Sequence, residues 1–504
     1  MTPHDAYRHL VSHSRETAYL KSIRRLLAWD QRTHLPRRGH AHRAGQLAFL
    51  AGLIHARLTD PRLPEWLERA ADADAPAAPD EAQAVNLREW RREYHRASRV
   101  PQDLVVALAQ AAAEGESAWG RARPANDWAA FRPYLENLVS LKRQEAQALD
   151  LGDEPYDALL DGYEPDETAA ALQPLLARLR EALAPLLRAI GEAPRRPDPG
   201  LLRRHFPRPA QEELARLAAQ QLGYDLAAGR LDPAAHPFST GIGPGDVRIT
   251  TRYDEHYFPT SFFGTLHETG HALYDQGLPP HHWGTPRGEA VSLGIHESQS
   301  RLWENLVGRS LSFWRFFYPL ARRACPALGE ATLPDFHLAV NDVRPSLIRT
   351  EADEVTYNLH IIFRFDLELA LLRNDLRVAD LPGAWNERME KDLGLTPPDH
   401  AHGVMQDVHW SAGHFGYFPT YTLGNLYAAQ LFHQARLEVG PWEEHFAAGD
   451  FSGLLDWLRR RIHHPGKSFR PRELIARVTG KTLESDELVA YLKEKFAELY
   501  NVRT

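Results

Sequence analysis

Residues 262–277, FFGTLHETGHALYDQG, place two histidines four apart with a glutamate between them. On a helix, His267 and His271 leave the same face and can share one metal ion. Glu268 is turned by about 100° from His267, so it lies beside such an ion rather than pointing at it. There it can hold a water and take its proton, the division of labour in H-E-x-x-H sites. The plainer alternative is a pair of hydrogen-bonded histidines on a mixed helix face. With 26 histidines in the chain, the five-residue pattern alone is only moderately specific.

A hydrolytic zinc site takes three protein ligands and keeps a fourth position open. The metzincin pattern is excluded, because Tyr274 and Gly277 stand where it needs glycine and histidine. His281 and His282 follow GLPP, a helix stop, and read as loop residues. A better third ligand is Glu297 in EAVSLGIHESQSRLWENLVG (289–308), an amphipathic segment that predicts a second helix. Glu297 sits amid Ile295, Leu302 and Trp303, where a carboxylate is costly unless paired or metal-bound. Glu289 and Glu304 are the alternatives, each more simply read as solvated. Two histidines and a glutamate leave a position open, which makes the centre catalytic rather than structural.

The elements that must carry these residues are mostly helices. Pro259 followed by Thr260 and Ser261 predicts an N-terminus for the histidine helix, and Gly277 a C′ residue that ends it. Helical spacing also runs through 5–30, through 167–190 and into AELYNV near the end. Just upstream of the histidine helix, HPFSTGIGPGDVRITTRYDEHYF (236–258) alternates β-branched residues around Gly-Pro-Gly, which predicts a short hairpin. Its edge is a rail to which an extended peptide can add. Residues 71–83 and 192–200 read as exposed connectors. The fold class is therefore mainly α.

A formal charge of -8 without long charge runs gives no reason to expect a nucleic-acid partner. Cys325 stands alone, so no intramolecular disulfide can form and a reducing, cytoplasmic home is expected. The first residues lack the apolar core of a secretory signal. No stretch reaches the roughly 20 apolar residues that cross a bilayer, so no membrane role is expected.

Several segments in order then carry a resemblance. They are HPF (236–238), DVRIT (246–250), HETGH (267–271), HESQS (296–300), IRTEAD (348–353), GVMQ (403–406) and GYFPTYTLG (416–424). LAWDQRTHLP (27–36) and IHHPGKSFRPRELIARVTG (462–480) extend it over nearly the whole chain. Together they resemble the carboxypeptidase Taq family of metallocarboxypeptidases. The resemblance implies one large helical domain, two halves flanking a deep substrate groove, similar to neurolysin and angiotensin-converting enzyme. It implies a homodimer, a zinc centre in which cobalt can substitute, and removal of single C-terminal residues with broad side-chain tolerance. The family's metal ligands fall on His267, His271 and Glu297, and its general base on Glu268.

An exopeptidase must also recognise a free carboxylate, and arginine's forked donors do this best. Arg349 is the first choice and Arg248, in the predicted hairpin, the second. The family associates these motifs with the substrate C-terminus and makes Gln406 a neighbour. The structural alternative for Arg349 is internal pairing with Glu351 or Asp353. For the oxyanion donor, Tyr421 matches best, with Tyr417 and His414 behind it. His236, His256 and His296 are candidates to orient ligands or substrate, and Asp275 and Glu304 to hydrogen-bond the ligand imidazoles. Two rivals remain: an endo-oligopeptidase with the same chemistry, and a non-catalytic peptide-binding scaffold braced by the ion.

Overall fold

Leu172, Leu176, Leu179, Leu183, Leu186 and Ile190 recur every three or four residues and are all buried on one face of the helix Ala169–Glu192. Burying each such side chain contributes about 1.5–3 kcal/mol, enough to carry Pro174 and Pro185 inside the helix. Thr168 caps it by accepting from Ala171 N–H. The computed structural model describes residues 1–71 and 81–503. The helix expected at 5–30 spans Pro3–Thr33 and opens with a capping box between Thr2 and Asp5. The C-terminal helix spans Asp486–Tyr500 and stops at Asn501, whose positive φ of 54° no helix can continue.

The connector expected at 192–200 lies between Glu192 and the 3-10 turn Pro199–Leu202. The other, 71–83, falls almost wholly outside the described residues.

Most helices pack around one apolar core, which includes Leu266, Leu273, Ile295 and Leu423. A smaller cluster of Ala6, Leu10, Leu63, Leu67, Leu87 and Trp90 joins three N-terminal helices, Pro3–Thr33, Leu63–Ala70 and Glu81–Arg99. Polar bonds tie that unit to the body. Ser14 Oγ donates to the Gly284 carbonyl at 2.7 Å, and Arg287 N–H to Asn86 Oδ1 at 2.9 Å.

The hairpin is present, and it belongs to a three-stranded sheet of order β1-β3-β2. Strands β2 (Phe238–Gly243) and β3 (Asp246–Thr251) pair antiparallel across the Gly-Pro-Gly turn, where Gly245 has φ +79°. Strand β1 (Gly229–Pro233) adds parallel to β3. Its partner comes from a distant register, so no local turn signal announces it. Strand β2 is an edge of this sheet, and it packs on the helix that carries the two histidines: a Cβ on Gly241 would lie 2.9 Å from Asp275 Oδ2.

Candidate metal centre

The histidine helix spans Phe258–Gly277, and both of its ends differ from expectation. Its N-cap is Tyr257, which caps nothing with its side chain. Ser261 instead lies inside the first turns and is buried, donating its hydroxyl to Gln211 Oε1 at 2.5 Å. Gly277 remains within the helix. It is a glycine because a Cβ there would lie 2.9 Å from Cβ and Cγ of His463. Here packing rather than capping chemistry selects the residue.

The second helix also differs. Residues 289–292 are not helical; the helix runs Leu293–Arg301, capped by Ser292, and opens into a π-helical turn over Leu302–Val307. Two glycines hold this helix close to its neighbours. A Cβ on Gly270 would lie 2.6 Å from Ser300 Cα, and one on Gly424 only 2.5 Å from Glu297 Cγ. Gly424 belongs to the helix Pro419–Val439. Glu297 is thus pressed between two helices that a methyl group would force apart.

This packing brings together His267, His271 and Glu297, whose candidate ligand atoms all lie within 4.8 Å of one another. Glu297 Oε2 is 3.7 Å from His267 Nε2 and 3.3 Å from His271 Nε2. The opposite ring nitrogens are committed elsewhere. His267 donates from Nδ1 to Glu304 Oε2 at 2.9 Å. His271 Nδ1 lies 3.0 Å from the His296 carbonyl oxygen, and 2.6 Å from His296 Nδ1. His296 in turn donates from Nε2 to Asp275 Oδ1 at 3.2 Å. Since a carbonyl and a carboxylate only accept, both candidate imidazoles carry a hydrogen on Nδ1 and turn Nε2, the atom left for a cation, toward Glu297. Two imidazole nitrogens and a carboxylate oxygen so directed fit a divalent cation.

Of the other acids weighed as third ligand, Glu304 reaches His267 from the π-helical turn. Glu289 is 49% exposed and pairs with Lys467 at 2.7 Å, away from the histidines.

Charge in the cluster follows from burial and neighbours. Burial opposes charge on His267, but Glu297, Glu304 and Glu268 outweigh it and raise its pKa to about 9. Burial, with the charges of His296 and His267, lowers His271 to about 4. Burial works against Glu297 too, yet Arg301 and the two histidines hold it well below the usual carboxylate range. Glu268 is only 6% exposed, and burial, reinforced by Glu297 and Glu304, raises its pKa to about 7. No described residue donates a hydrogen bond to its carboxylate.

The remaining predicted residues separate into two neighbourhoods. Arg349, 5% exposed, pairs with neither Glu351 nor Asp353. Its Nε and Nη2 donate to Asp407 Oδ1 at 2.9 and 2.8 Å, and its Nη1 to the Tyr357 hydroxyl at 3.0 Å. Arg364 holds the other oxygen of Asp407, at 2.7 Å. The guanidinium of Arg349 lies 5.0 Å over the Tyr421 ring. Gln406 accepts from Arg349 N–H and donates to the Leu347 and His402 carbonyls, so its amide braces the arginine's backbone. Tyr417 packs 5.4 Å from Tyr421, with exposed His414 stacked on it at 5.9 Å. Both tyrosines feel the charge of Glu297.

Arg248 belongs elsewhere: on β3 it pairs with Asp246 at 2.7 Å and lies 4.2 Å over the Trp29 ring. His236 and His256 are exposed; His236 precedes β2, and the His256 ring faces His205 at 5.8 Å.

The sequence reading missed Arg301, Asp407, Arg364 and Tyr357. Arg301 donates to Glu297 Oε1 at 2.7 Å and lies 4.3 Å over the Tyr357 ring, leaving Oε2 to face the histidines. Its i+4 spacing from Glu297 was a usable signal. The Asp407 pairings join segments far apart in the chain and left none.

A family model described as carboxypeptidase Taq (M32) metallopeptidase matches residues 9–496. Thermostable carboxypeptidase 1 of Thermus thermophilus is 56% identical over 99% of this chain and 100% of its own length. Among solved structures, an M32 carboxypeptidase from Deinococcus radiodurans is 40% identical with a TM-score of 0.96, covering 99% of this chain and 100% of that one. A Pyrococcus furiosus carboxypeptidase is 35% identical with a TM-score of 0.94, covering 97% and 99%. The chain therefore belongs to the carboxypeptidase Taq (M32) metallopeptidase family and is a metallocarboxypeptidase, a hydrolase acting on peptides.

Proposed function

We propose that the protein removes single residues from peptides with a free C-terminus, with broad side-chain tolerance, at a zinc centre in which cobalt can substitute. His267, His271 and Glu297 are the ligands. The observation that carries this reading is the convergence of two imidazole Nε2 atoms and Glu297 Oε2 beside Glu268, a buried acid to which no described residue donates a hydrogen bond. When bound, the cation supplies Lewis acidity to water and to the scissile carbonyl.

Glu268 takes the proton of the attacking water and returns it to the leaving amine. Tyr421 donates its hydroxyl hydrogen to the oxyanion. Arg349 anchors the substrate carboxylate. Three of arginine's five donors are used by Asp407 and Tyr357, and two guanidiniums against one Asp407 carboxylate leave net positive charge there. Arg349 fits this role better than Arg248, because it shares a neighbourhood with Tyr421.

The same reading takes the chain as one domain, 1–504, whose helical halves flank a substrate groove as in neurolysin and angiotensin-converting enzyme. It acts as a homodimer in the cytoplasm. No described helix is long and apolar enough to cross a membrane.

The test is an N-terminally blocked dipeptide and its C-terminally amidated twin, offered to protein stripped of metal and reloaded with zinc or cobalt. Metal-dependent release from the free acid alone is expected, and Glu268→Gln should retain the metal while kcat falls by about 10²–10⁴-fold. Cleavage of both substrates would make it an endo-oligopeptidase. Full activity of the glutamine variant would remove Glu268 from the mechanism.

A further inference from the structure

His409 heads the loop that leads into the helix of Tyr421, and the mechanism above gives it no task. The loop is held tightly. Glu368, fully buried, accepts from Trp410 Nε1 at 2.8 Å, from Gly416 N–H at 3.1 Å and from the Tyr156 hydroxyl at 2.8 Å. Gly413 and Gly416 turn the chain with φ of 73° and 83°, where a side chain would be strained. His409 itself is 9% exposed and rests on Phe418 with ring centroids 4.5 Å apart. Its Nε2 lies 3.0 Å from the Tyr421 hydroxyl, while its Nδ1 is buried with no partner among the described residues.

We propose that His409 is a positioning residue: as a neutral imidazole carrying its hydrogen on Nε2, it donates to the Tyr421 oxygen and so turns the tyrosine's own hydrogen toward the scissile carbonyl. This rests on the assignment of Tyr421 as oxyanion donor. Between Nε2 and the tyrosine oxygen there is one hydrogen bond, and it has two possible directions. With the imidazole hydrogen on Nδ1, that N–H would be buried without an acceptor, and the bare Nε2 would capture the tyrosine's hydrogen. With the hydrogen on Nε2, only a lone pair is left unmatched, which is the milder defect for a buried group. The tyrosine oxygen is then an acceptor from His409, and its hydrogen is left for another partner, the neighbouring Tyr417 hydroxyl or a substrate carbonyl. Accepting a hydrogen bond also makes a hydroxyl a stronger donor.

The surroundings keep the imidazole neutral. Burial lowers its pKa to about 3; Asp407 opposes that shift, while Arg349, His414 and Arg364 add to it. A charged imidazolium would also donate from Nε2, but it would leave a second buried N–H unmatched at Nδ1. Burial of the ring, helped by the two arginines, thus serves Tyr421 indirectly by excluding that state.

The test is a double-mutant cycle on the blocked dipeptide, using zinc-loaded enzyme whose metal content and thermal unfolding are measured for each variant. Tyr421→Phe is expected to lower kcat by about 10²-fold or more, as loss of one oxyanion donor does. His409→Phe keeps the ring's shape without the donor. It should lower kcat at least about 10-fold with KM nearly unchanged, since Tyr421 keeps its place but loses its orientation. His409→Gln, whose Nε2 donor takes the place of the imidazole N–H, should recover most of that loss. The Tyr421→Phe/His409→Phe double variant should be no slower than Tyr421→Phe alone.

Additive losses in the double variant, wild-type kcat in His409→Phe, or equal damage from Phe and Gln would each overturn the role of His409 while leaving Tyr421 in place. Wild-type kcat in Tyr421→Phe would overturn both assignments. Should the phenylalanine variant not fold, imidazole nitrogen NMR of wild-type enzyme, assigned by comparison with His409→Gln, decides the matter. A hydrogen on Nε2 supports the proposal, and a hydrogen on Nδ1 overturns it.

Discussion

Replacing Gly270 by alanine should dismantle the proposed metal centre without touching a proposed ligand. The new methyl carbon would lie 2.6 Å from Ser300 Cα and 2.8 Å from the Gln299 carbonyl carbon. Carbon atoms normally settle about 3.5–4.0 Å apart. Both neighbours are backbone atoms of the Glu297 helix, so relief requires that helix to retreat by about 1 Å. Glu297 Oε2 rests 3.3 and 3.7 Å from the two Nε2 atoms, and ligand distances at a metal tolerate only about 0.2 Å. The carboxylate is then out of reach. Zinc affinity should fall by at least about 100-fold, the upper end of what loss of an outer hydrogen-bond partner costs, and overpacking should destabilise the fold by about 1–3 kcal/mol. Chelator competition measures the first quantity and urea unfolding the second. Gly120→Ala serves as control: it lies on an exposed helix position with nothing within 4 Å of its Cβ, and should be neutral or stabilising by up to about 1 kcal/mol. A Gly270→Ala protein with wild-type zinc affinity and stability would refute the argument that close helix packing positions Glu297.

Glu304→Ala should weaken zinc binding by about 10–100-fold, because His267 then loses the acceptor that fixes its Nδ1 hydrogen; unchanged affinity in chelator competition would dismiss Glu304 as an orienting group. The buried Glu368 makes stability depend on pH. Burial outweighs its three hydrogen bonds and raises its pKa from 4.5 to about 7. The native state therefore binds the proton more tightly than the unfolded chain, a stabilisation that is complete below about pH 4.5 and lost as pH rises through about 7. The loss is about 3 kcal/mol at about 1.4 kcal/mol per pKa unit. Urea unfolding of wild type and Glu368→Gln between pH 5 and 8 should show a difference that changes by most of that amount; a constant difference would contradict it.

What could be read from the residues was what local periodicity and residue chemistry control. The i and i+4 spacing of His267 and His271 decides their common face on any helix. A carboxylate at Glu297, set among Ile295, Leu302 and Trp303, called for a partner before any partner was visible. The hairpin at 236–258 was legible because its turn and its strands are adjacent in sequence, whereas β1 was not, since it pairs with β3 from a separate segment. The end of the histidine helix was misread at Gly277, whose lack of a side chain serves His463, a residue far along the chain.

The sequence by itself thus determined that the chain is mainly helical and that one helix offers two imidazoles and an acid. The tertiary structure alone decided how they are used. It put Glu304 on a π-helical turn within reach of His267, set Arg301 on one oxygen of Glu297, and paired Arg349 with Asp407 rather than with its sequence neighbours. It also joined His409 to Tyr421. The physical reason is common to all of these. Helical periodicity is a property of a few consecutive residues, but buried charges and ring nitrogens find partners across whichever helices are packed together, and that packing depends on glycines and apolar surfaces contributed from the whole chain.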